Sequence, residues 1–202
     1  MPTTVITTPR LLLRSTSQSD FDQLFALIFS DGQVMKHLTG SPLPREQAAK
    51  VFDEVFDHDG TGRKPGVLVE LQTERLLGYA GLMPCSALDG NDYELGFVLR
   101  REAWGKGYAK EIGVAQLEYG FRTTDRDRLL AQVRPSNMAS VNALRKLGMS
   151  FVKEYERPQR GTWQVFSRAR GASPFLQADL PMAVRLSQTL GVEGNSRCAS
   201  SQ

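Results

Sequence analysis

Cysteine and histidine are scarce in this chain, and their scarcity limits the kinds of site it can hold. The 202 residues include two cysteines and two histidines. Neither Cys85 nor Cys198 has a second Cys or a His nearby at the spacing typical of metal ligands. The sequence therefore predicts no disulfide and no metal site.

Long apolar runs are also missing. The apolar stretches that are present, such as residues 66–71, fall well below the roughly 18 to 20 residues that a membrane helix needs. Residues 1–4 lack the basic start of a secretory signal, and no apolar run with a cleavage site follows them. We therefore expect a cytoplasmic protein without a membrane partner.

Charge of one sign is not concentrated anywhere along the chain. The formal net charge is +3 and the isoelectric point is about 9.0, but basic and acidic residues are interspersed. Nucleic-acid binding is therefore not expected. A mild positive bias suits a polyanionic small molecule such as a coenzyme, and a solvated surface of mixed charge explains it equally well.

Length and composition indicate one folded domain followed by an extension. With 41% hydrophobic residues, the 202 residues bury one sizeable core. The domain is predicted over residues 8–168, and residues 169–202 form a C-terminal extension that frays at 195–202. Apolar residues within 174–190 are expected to pack against another surface, either of the same chain or of a second copy. The sequence is therefore compatible with both a monomer and a homodimer.

Hydrophobic periodicity predicts a mixed α+β fold. The predicted elements are a strand (11–13), three helices (19–31, 33–38, 44–56), three strands (67–71, 76–83, 93–99), a helix to about 122, a strand (129–133), a helix (137–147) and a hairpin (150–154 with 162–168). This order predicts a twisted, mostly antiparallel central sheet of six or seven strands, with helices on both faces.

The connection between the strand at 93–99 and the following helix carries the strongest chemical signal. Gly105 and Gly107 stand just before the helix, where backbone N–H groups are unpaired and the helix dipole is positive. Glycines there let a phosphate approach closely, and Lys106 and Lys110 add positive charge. A Gly-x-Gly turn alone is weak evidence, because such turns often serve only chain geometry.

Two nucleotide-binding motifs do not fit this loop. A Walker loop requires Gly-Lys followed by Ser or Thr, whereas Tyr108 follows Gly107 here. The dinucleotide fingerprint requires a third Gly or Ala where this chain has Lys110, and an acid after the next strand, where it has Gln-Val-Arg at 132–134. A nucleotide-binding protein is therefore the weaker interpretation.

Five short segments of the chain match a known family pattern. They are Thr-Pro-Arg-Leu-Leu-Leu-Arg (8–14), Glu-Leu-Gly-Phe (94–97), Trp-Gly-Lys-Gly-Tyr-Ala (104–109), and Asn-Met-Ala-Ser (137–140) with Leu-Arg-Lys-Leu-Gly-Met (144–149). On these residues the sequence resembles the GNAT superfamily of N-acetyltransferases, especially the branch that includes the ribosomal-protein N-terminal acetyltransferases. Trp104 replaces the Gln or Arg of the wider family, and Met149 replaces a Phe while keeping its apolar packing role.

The resemblance implies a GNAT fold that holds acetyl-CoA between two splayed strands, those at 93–99 and 129–133. The pyrophosphate is expected on the backbone N–H groups of residues 105–110, and the pantetheine arm beside residues 97–99. The predicted coenzyme-binding residues are Phe97, Val98, Leu99, Trp104, Gly105, Lys106, Gly107, Tyr108, Ala109, Lys110, Asn137 and Ser140.

The expected reaction is direct attack by an amine on the thioester, because no nucleophile of the enzyme lies in the motifs. Glu94 is the candidate general base, since burial among apolar neighbours would raise its pKa. Its alternative role is structural, at a strand end. Ser140 is the candidate that returns a proton to the thiolate, unless it bonds within its helix while Ser136 or Asn137 caps that helix. Cys85 lies outside every motif and is expected to pack.

The amine acceptor stays open between a protein N-terminus and a small-molecule amine, because acceptor pockets are built from variable loops. The loops expected to line the pocket are 33–44, 63–65 and 155–162. His37 and His58 lie outside the motifs and are expected in satisfied or surface positions, with His37 also a substrate-side candidate. The alternative function is a GNAT-like module that binds acyl-CoA without turnover.

Overall fold

The computed structural model describes residues 1–88, 90–172 and the strand at 185–186. Its strands are β1 (Thr4–Thr7), β2 (Leu11–Arg14), β3 (Gly66–Glu70), β4 (Leu76–Cys85), β5 (Asp92–Leu99), β6 (Arg128–Val133), β7 (Ser150–Arg157), β8 (Gly161–Ala169) and β9 (Arg185–Leu186). Its α-helices are α1 (Phe21–Leu24), α2 (Gly32–Met35), α3 (Arg45–Val55), α4 (Tyr108–Thr123) and α5 (Met138–Lys146).

The described strands form one sheet in the order β7-β8-β6-β5-β4-β3-β2-β1-β9. β5 and β6 run parallel, and the other neighbours are antiparallel. The predicted mixed fold with a mostly antiparallel sheet is confirmed. This part of the chain has nine strands where six or seven were expected, because β1 pairs with β2 and β9 pairs with β1.

Helices cover both faces of the sheet. On one face, Ile112 of α4 and Leu144 of α5 belong to apolar clusters that include residues of β3, β4 and β6. On the other face, Phe52 of α3 packs with Val67 and Val69 of β3. β3 is therefore buried on both sides as far as Val69, which explains why residues 66–69 are all apolar and do not alternate with polar ones.

Two predicted elements differ from those observed. The first predicted helix is split into a 3₁₀ turn (Gln18–Asp20), α1 and a π turn (Phe25–Phe29). The final hairpin is longer than predicted, because residues 155–157 of β7 still pair with β8. β7 is an exposed edge strand rich in charged residues, so its sequence lacks the apolar alternation that marks a half-buried strand.

Two predictions concern residues that lie largely outside the part of the chain that the structure describes. The apolar segment at 174–190, apart from the strand at 185–186, and the tail at 195–202 lie outside the described residues. Within the part that is described, no helix is long and apolar enough to cross a membrane.

Candidate active site

β5 and β6 are joined at one end and separate towards the other. Tyr93 and Glu94 pair with residues 129 and 130 of β6, and these two described strands form no pair beyond that point. At the joined end, Arg128 donates two hydrogen bonds to the buried Asp92, both 2.9 Å long. The predicted splayed strand pair is therefore present, and Glu94 lies where the two strands part.

The separated strands border a cavity of about 270 Å³. Glu94, Asn137 and Ser140, which come from β5, the start of α5 and its first turn, all line this cavity. Phe97 and Val98 of the predicted pantetheine strand line it as well. The fold thus brings the two predicted catalytic residues together with part of the predicted coenzyme set.

Glu94 lies in a partly buried, hydrogen-bonded position. The side-chain amide of Gln132 donates to Oε2 of Glu94, and the sulfur of Cys85 lies 3.6 Å from the same oxygen. Burial raises the pKa of Glu94, and the hydrogen bond from Gln132 and the charge of Arg157 partly oppose that rise. A raised pKa makes a carboxylate a stronger base, which suits proton removal from an amine.

Gln132 is held in one orientation by the residues around it. Its side-chain oxygen accepts hydrogen bonds from the hydroxyl of Tyr155 and, at 2.6 Å, from Nη2 of Arg157. Nε of Arg157 also donates to the Tyr155 hydroxyl at 2.6 Å. The amide nitrogen of Gln132 therefore faces Glu94. Sequence reasoning missed this set, although a glutamine in the middle of an otherwise apolar strand was a signal.

Cys85 packs as predicted and also touches the candidate base. It is buried in a cluster with Leu130 and Val165. Burial, followed by the nearby charge of Glu94, raises the pKa of the thiol to about 11. The thiol is therefore protonated at neutral pH, and a protonated thiol is a poor nucleophile.

Asn137 caps α5. Its side-chain oxygen accepts a hydrogen bond of 3.2 Å from the backbone N–H of Ser140. The alternative that Asn137 caps this helix is therefore confirmed. The amide nitrogen of its side chain takes no part in the cap. Among the described residues, the hydroxyl of Ser140 has no hydrogen-bond partner, so it is available to a ligand in the cavity.

The glycine loop precedes α4 at the carboxyl end of β5, where β5 and β6 are apart. Gly105 and Gly107 have φ angles of 75° and 81°. Residues other than glycine rarely adopt φ angles in this range. Gly107 is the N-cap residue of α4, and no side chain caps this helix start. A helix start of this kind leaves backbone N–H groups of the first turn able to bind an anion.

The loop is fastened to the connection between β1 and β2. Nη1 of Arg10 donates to the carbonyl of Lys106 at 3.0 Å, and Nε of Arg10 donates to Glu111 at 2.7 Å. The Arg10 guanidinium also lies 4.6 Å from the centre of the Tyr108 ring. Thr8 donates to Glu111 at 2.6 Å. The segment predicted only as an opening strand therefore supports the loop, a role the sequence did not reveal.

Three predicted coenzyme residues have side chains with structural roles. Leu99 and Tyr108 are buried in the cluster between the sheet and α4, and the Tyr108 hydroxyl donates to Glu70. Trp104 is 49% exposed, and its indole N–H donates to the carbonyl of Leu99 at 2.8 Å. Their side chains therefore pack within the fold or hydrogen-bond to neighbouring residues.

All three loops predicted to line the acceptor pocket contribute to the cavity wall, through His37, Pro65 and Arg157. Burial, together with the charges of Lys36 and Arg134, lowers the pKa of His37. His58 lies away from the cavity, between the Thr16 hydroxyl and a backbone carbonyl of α3. The sequence did not predict the further lining residues Val51, Val55, Phe56, Tyr79, Gln132, Arg134 and Trp163.

Within the described residues, no group of three or more His, Cys, Asp and Glu side chains is placed to hold a metal ion. The cavity carries carboxylate, hydroxyl, amide and guanidinium groups.

Comparison with known proteins agrees with the fold. The family model for the acetyltransferase (GNAT) domain matches residues 10–150. The protein YkkB of Bacillus subtilis (strain 168) is 31% identical over 150 residues, which cover 74% of this chain and 87% of YkkB.

Two solved structures share the fold. A GNAT-family acetyltransferase from Bacillus anthracis matches with a TM-score of 0.69 and 23% identity, covering 82% of this chain and 98% of that protein. The spermidine N-acetyltransferase from Vibrio cholerae, solved with CoA and spermine, matches with a TM-score of 0.64 and 15% identity, covering 80% of this chain and 96% of that one.

Proposed function

Since the chain belongs to the GNAT acetyltransferase family, we propose that it transfers the acetyl group of acetyl-CoA to a primary amine. The observation that carries this proposal is the position of Glu94, Asn137 and Ser140 around one cavity where β5 and β6 separate. The CoA bound by the Vibrio cholerae neighbour supports the same coenzyme here. We assign the activity to residues 8–168.

In this proposal the coenzyme lies along the opening between β5 and β6. Its pyrophosphate sits on the backbone N–H groups of residues 105–110, where two glycines permit close approach. Its pantetheine arm follows residues 97–99, and the side-chain amide of Asn137 donates to it. The thioester then lies near Glu94 and Ser140, at the vertex of the two strands.

The reaction proceeds by direct attack in a ternary complex. Glu94, acting directly or through water, removes a proton from the ammonium group, and the freed lone pair attacks the thioester carbonyl carbon. The carbon–sulfur bond then breaks and the amine keeps the acetyl group. The Ser140 hydroxyl gives its proton to the departing thiolate and is reprotonated, directly or through water, by the second proton that the nitrogen loses as the amide forms. The protonated state of Cys85 supports a route without an acetyl-enzyme.

Two acceptor classes follow from this chemistry, a protein N-terminus and a small-molecule amine. The similarity to the ribosomal-protein N-terminal acetyltransferases supports the first class, and the Vibrio cholerae spermidine enzyme illustrates the second. Both present a primary amine to the same thioester.

The proposal is tested by steady-state kinetics with acetyl-CoA and an amine panel, with mass detection of the acetylated products. We expect amine-dependent release of CoA and intersecting lines when both substrates are varied. Parallel lines with a trapped acetyl-enzyme would contradict direct transfer. A rise in melting temperature with acetyl-CoA but no amine-dependent CoA release would indicate an acyl-CoA-binding module without turnover.

A further inference from the structure

Two arginines line the cavity without an acidic partner. Arg134 directly follows β6, and Arg157 is the last residue of β7. Within the described part of the chain, neither guanidinium forms a salt bridge. Both side chains are half-buried, and the charge of Arg157 acts on Glu94 without a direct hydrogen bond. The arrangement therefore leaves two positive groups that no carboxylate of the described residues contacts.

A buried tryptophan joins the two arginines. The Trp163 ring lies 4.5 Å from the guanidinium of Arg157 and 5.4 Å from that of Arg134. Trp163 is 7% exposed. In the described structure, its indole N–H and Nε of Arg134 are buried donors without a hydrogen-bond acceptor. Buried donors are ordinarily paired, so these two point to an acceptor group supplied by a ligand.

Negative and positive side chains lie at different places on the cavity wall. Among the described residues that line it, Glu94 is the one carboxylate, and the other charged or titratable groups are His37, Tyr79, Arg134 and Arg157. Glu94 stands at the strand vertex. Gln132 separates it from Arg157 through one hydrogen bond on each side. The cavity therefore presents a negative group for an amine and, beyond one amide, positive groups for an anion.

We propose that the acceptor is a primary amine that also carries an anionic group, either a carboxylate or a phosphate. The anion binds Arg134, Arg157 and the indole N–H of Trp163 while the amine reaches Glu94. Planar guanidinium groups suit both anions, because each offers parallel N–H donors to two oxygens. This inference rests on the proposed acetyl transfer and excludes a polyamine, whose other ammonium groups would be repelled by the arginines.

The test compares matched amines that differ only in the anion. The pairs are an α-amino acid with its carboxamide and O-phosphoethanolamine with ethanolamine, and spermidine is the cationic member. We expect kcat/KM to be about tenfold or more higher for the anionic member of at least one pair, in line with charge-assisted hydrogen bonds. The pair with the larger ratio identifies the anion as carboxylate or phosphate.

The Arg134→Gln variant tests the residue assignment. Arg134 forms no hydrogen bond with Glu94 or Gln132 in the described structure, so the variant should lose the anion preference: the ratio of kcat/KM between the anionic and the uncharged member of a pair should fall about tenfold or more. Arg122→Gln is the control, because Arg122 is exposed in the last turn of α4. Equal kcat/KM within both pairs, or a preference for spermidine, would overturn the inference.

A failure of the acetyl-transfer proposal is separable from a failure of this inference. If no amine is acetylated, calorimetric titration of the CoA-loaded protein with the same amines decides the point. Tighter binding of an anionic member, weakened about tenfold or more by Arg134→Gln, would still support the anion site. Absence of any anionic preference in binding would overturn it.

Discussion

The loop proposed to bind the coenzyme and the cavity proposed to bind the acceptor are built in different ways. The loop offers backbone N–H groups of consecutive residues at 105–110, set by two glycines and a helix start. The cavity collects side chains from β5, β6, β7, β8 and α5, so its chemistry depends on strand pairing. Changes in the loop should therefore alter coenzyme affinity, and changes in the cavity should alter the chemical step or acceptor choice.

The largest effect is expected from Glu94→Gln. Glutamine keeps the size and hydrogen-bonding capacity of Glu94 but is not a base, so the chemical step should slow by roughly 10²- to 10⁴-fold. Coenzyme affinity, measured by calorimetry, should stay nearly unchanged because the loop is intact. Equal losses of coenzyme affinity and of rate would show that the loop and the cavity do not have separate roles.

The same variant has a defined effect on stability. Burial raises the pKa of Glu94 in the folded protein, so the folded state binds the proton more tightly than the unfolded chain. The contribution of Glu94 to the free energy of unfolding is fully present below the pKa that Glu94 has in the unfolded chain. It is lost as the pH rises through the pKa that Glu94 has in the folded protein. Glu94→Gln should therefore melt at or above the wild-type temperature at neutral pH and lose that advantage in acid. A lower melting temperature at neutral pH would attribute the slow rate to structural damage.

The second-largest effect is expected from Gly107→Val. A side chain at φ 81° costs about 1–2 kcal/mol of backbone strain and blocks close approach of a phosphate. Coenzyme should bind about tenfold more weakly or worse, while kcat at saturating coenzyme is kept. Gly171→Val is the matched control, because Gly171 has φ 72° and open space around it. A similar loss of affinity in both variants would show that strain alone is responsible.

A smaller effect is expected from Ser140→Ala. A thiol has a reference pKa of about 8.5, so a departing thiolate needs limited help from an acid, and the chemical step should slow by about tenfold or less. Single-turnover measurement isolates this step from product release. Ser136→Ala, exposed one residue before the helix cap, serves as the control. A wild-type rate for Ser140→Ala would leave Ser140 with a structural role.

The smallest effect is expected from Arg10→Gln. The loss of the charged hydrogen bonds to the Lys106 carbonyl and to Glu111 should weaken coenzyme binding by about threefold to tenfold. Acceptor KM should not change, because Arg10 does not line the cavity. Arg45→Gln removes a surface ion pair with Asp22 and provides the comparison. A fall in kcat with unchanged coenzyme affinity would contradict the supporting role of Arg10.

These two regions also differ in how far the sequence predicted them. The loop was predictable because Gly105, Gly107 and the helix start lie within a few residues of one another. Glu94, Asn137 and Ser140 were predicted through a family resemblance, and the structure brings them to one cavity. Local spacing and family pattern therefore sufficed to predict the helix start after the two glycines and the grouping of these three residues.

The partners of these residues were not predictable from spacing. Arg10 reaches Glu111 across 101 residues of sequence, and Arg157 reaches Gln132 across 25 residues. Such contacts are set by strand register, and the charged composition of β7 concealed the last part of that strand. Polar residues within β6 were the available signal, since a buried strand seldom carries a glutamine without a specific partner.

The measurement that tests the central claim most directly is the single-turnover rate of acetyl transfer for wild type and Glu94→Gln, from about pH 6 to about pH 9. As pH falls through the raised pKa of Glu94, the carboxylate gains a proton and the wild-type rate should decline, in addition to any decline from protonation of the amine. The variant should be slow throughout and keep only the dependence that comes from the amine. A variant with the wild-type rate and the same acidic limb would show that another group takes the proton, and Glu94 would be a structural residue.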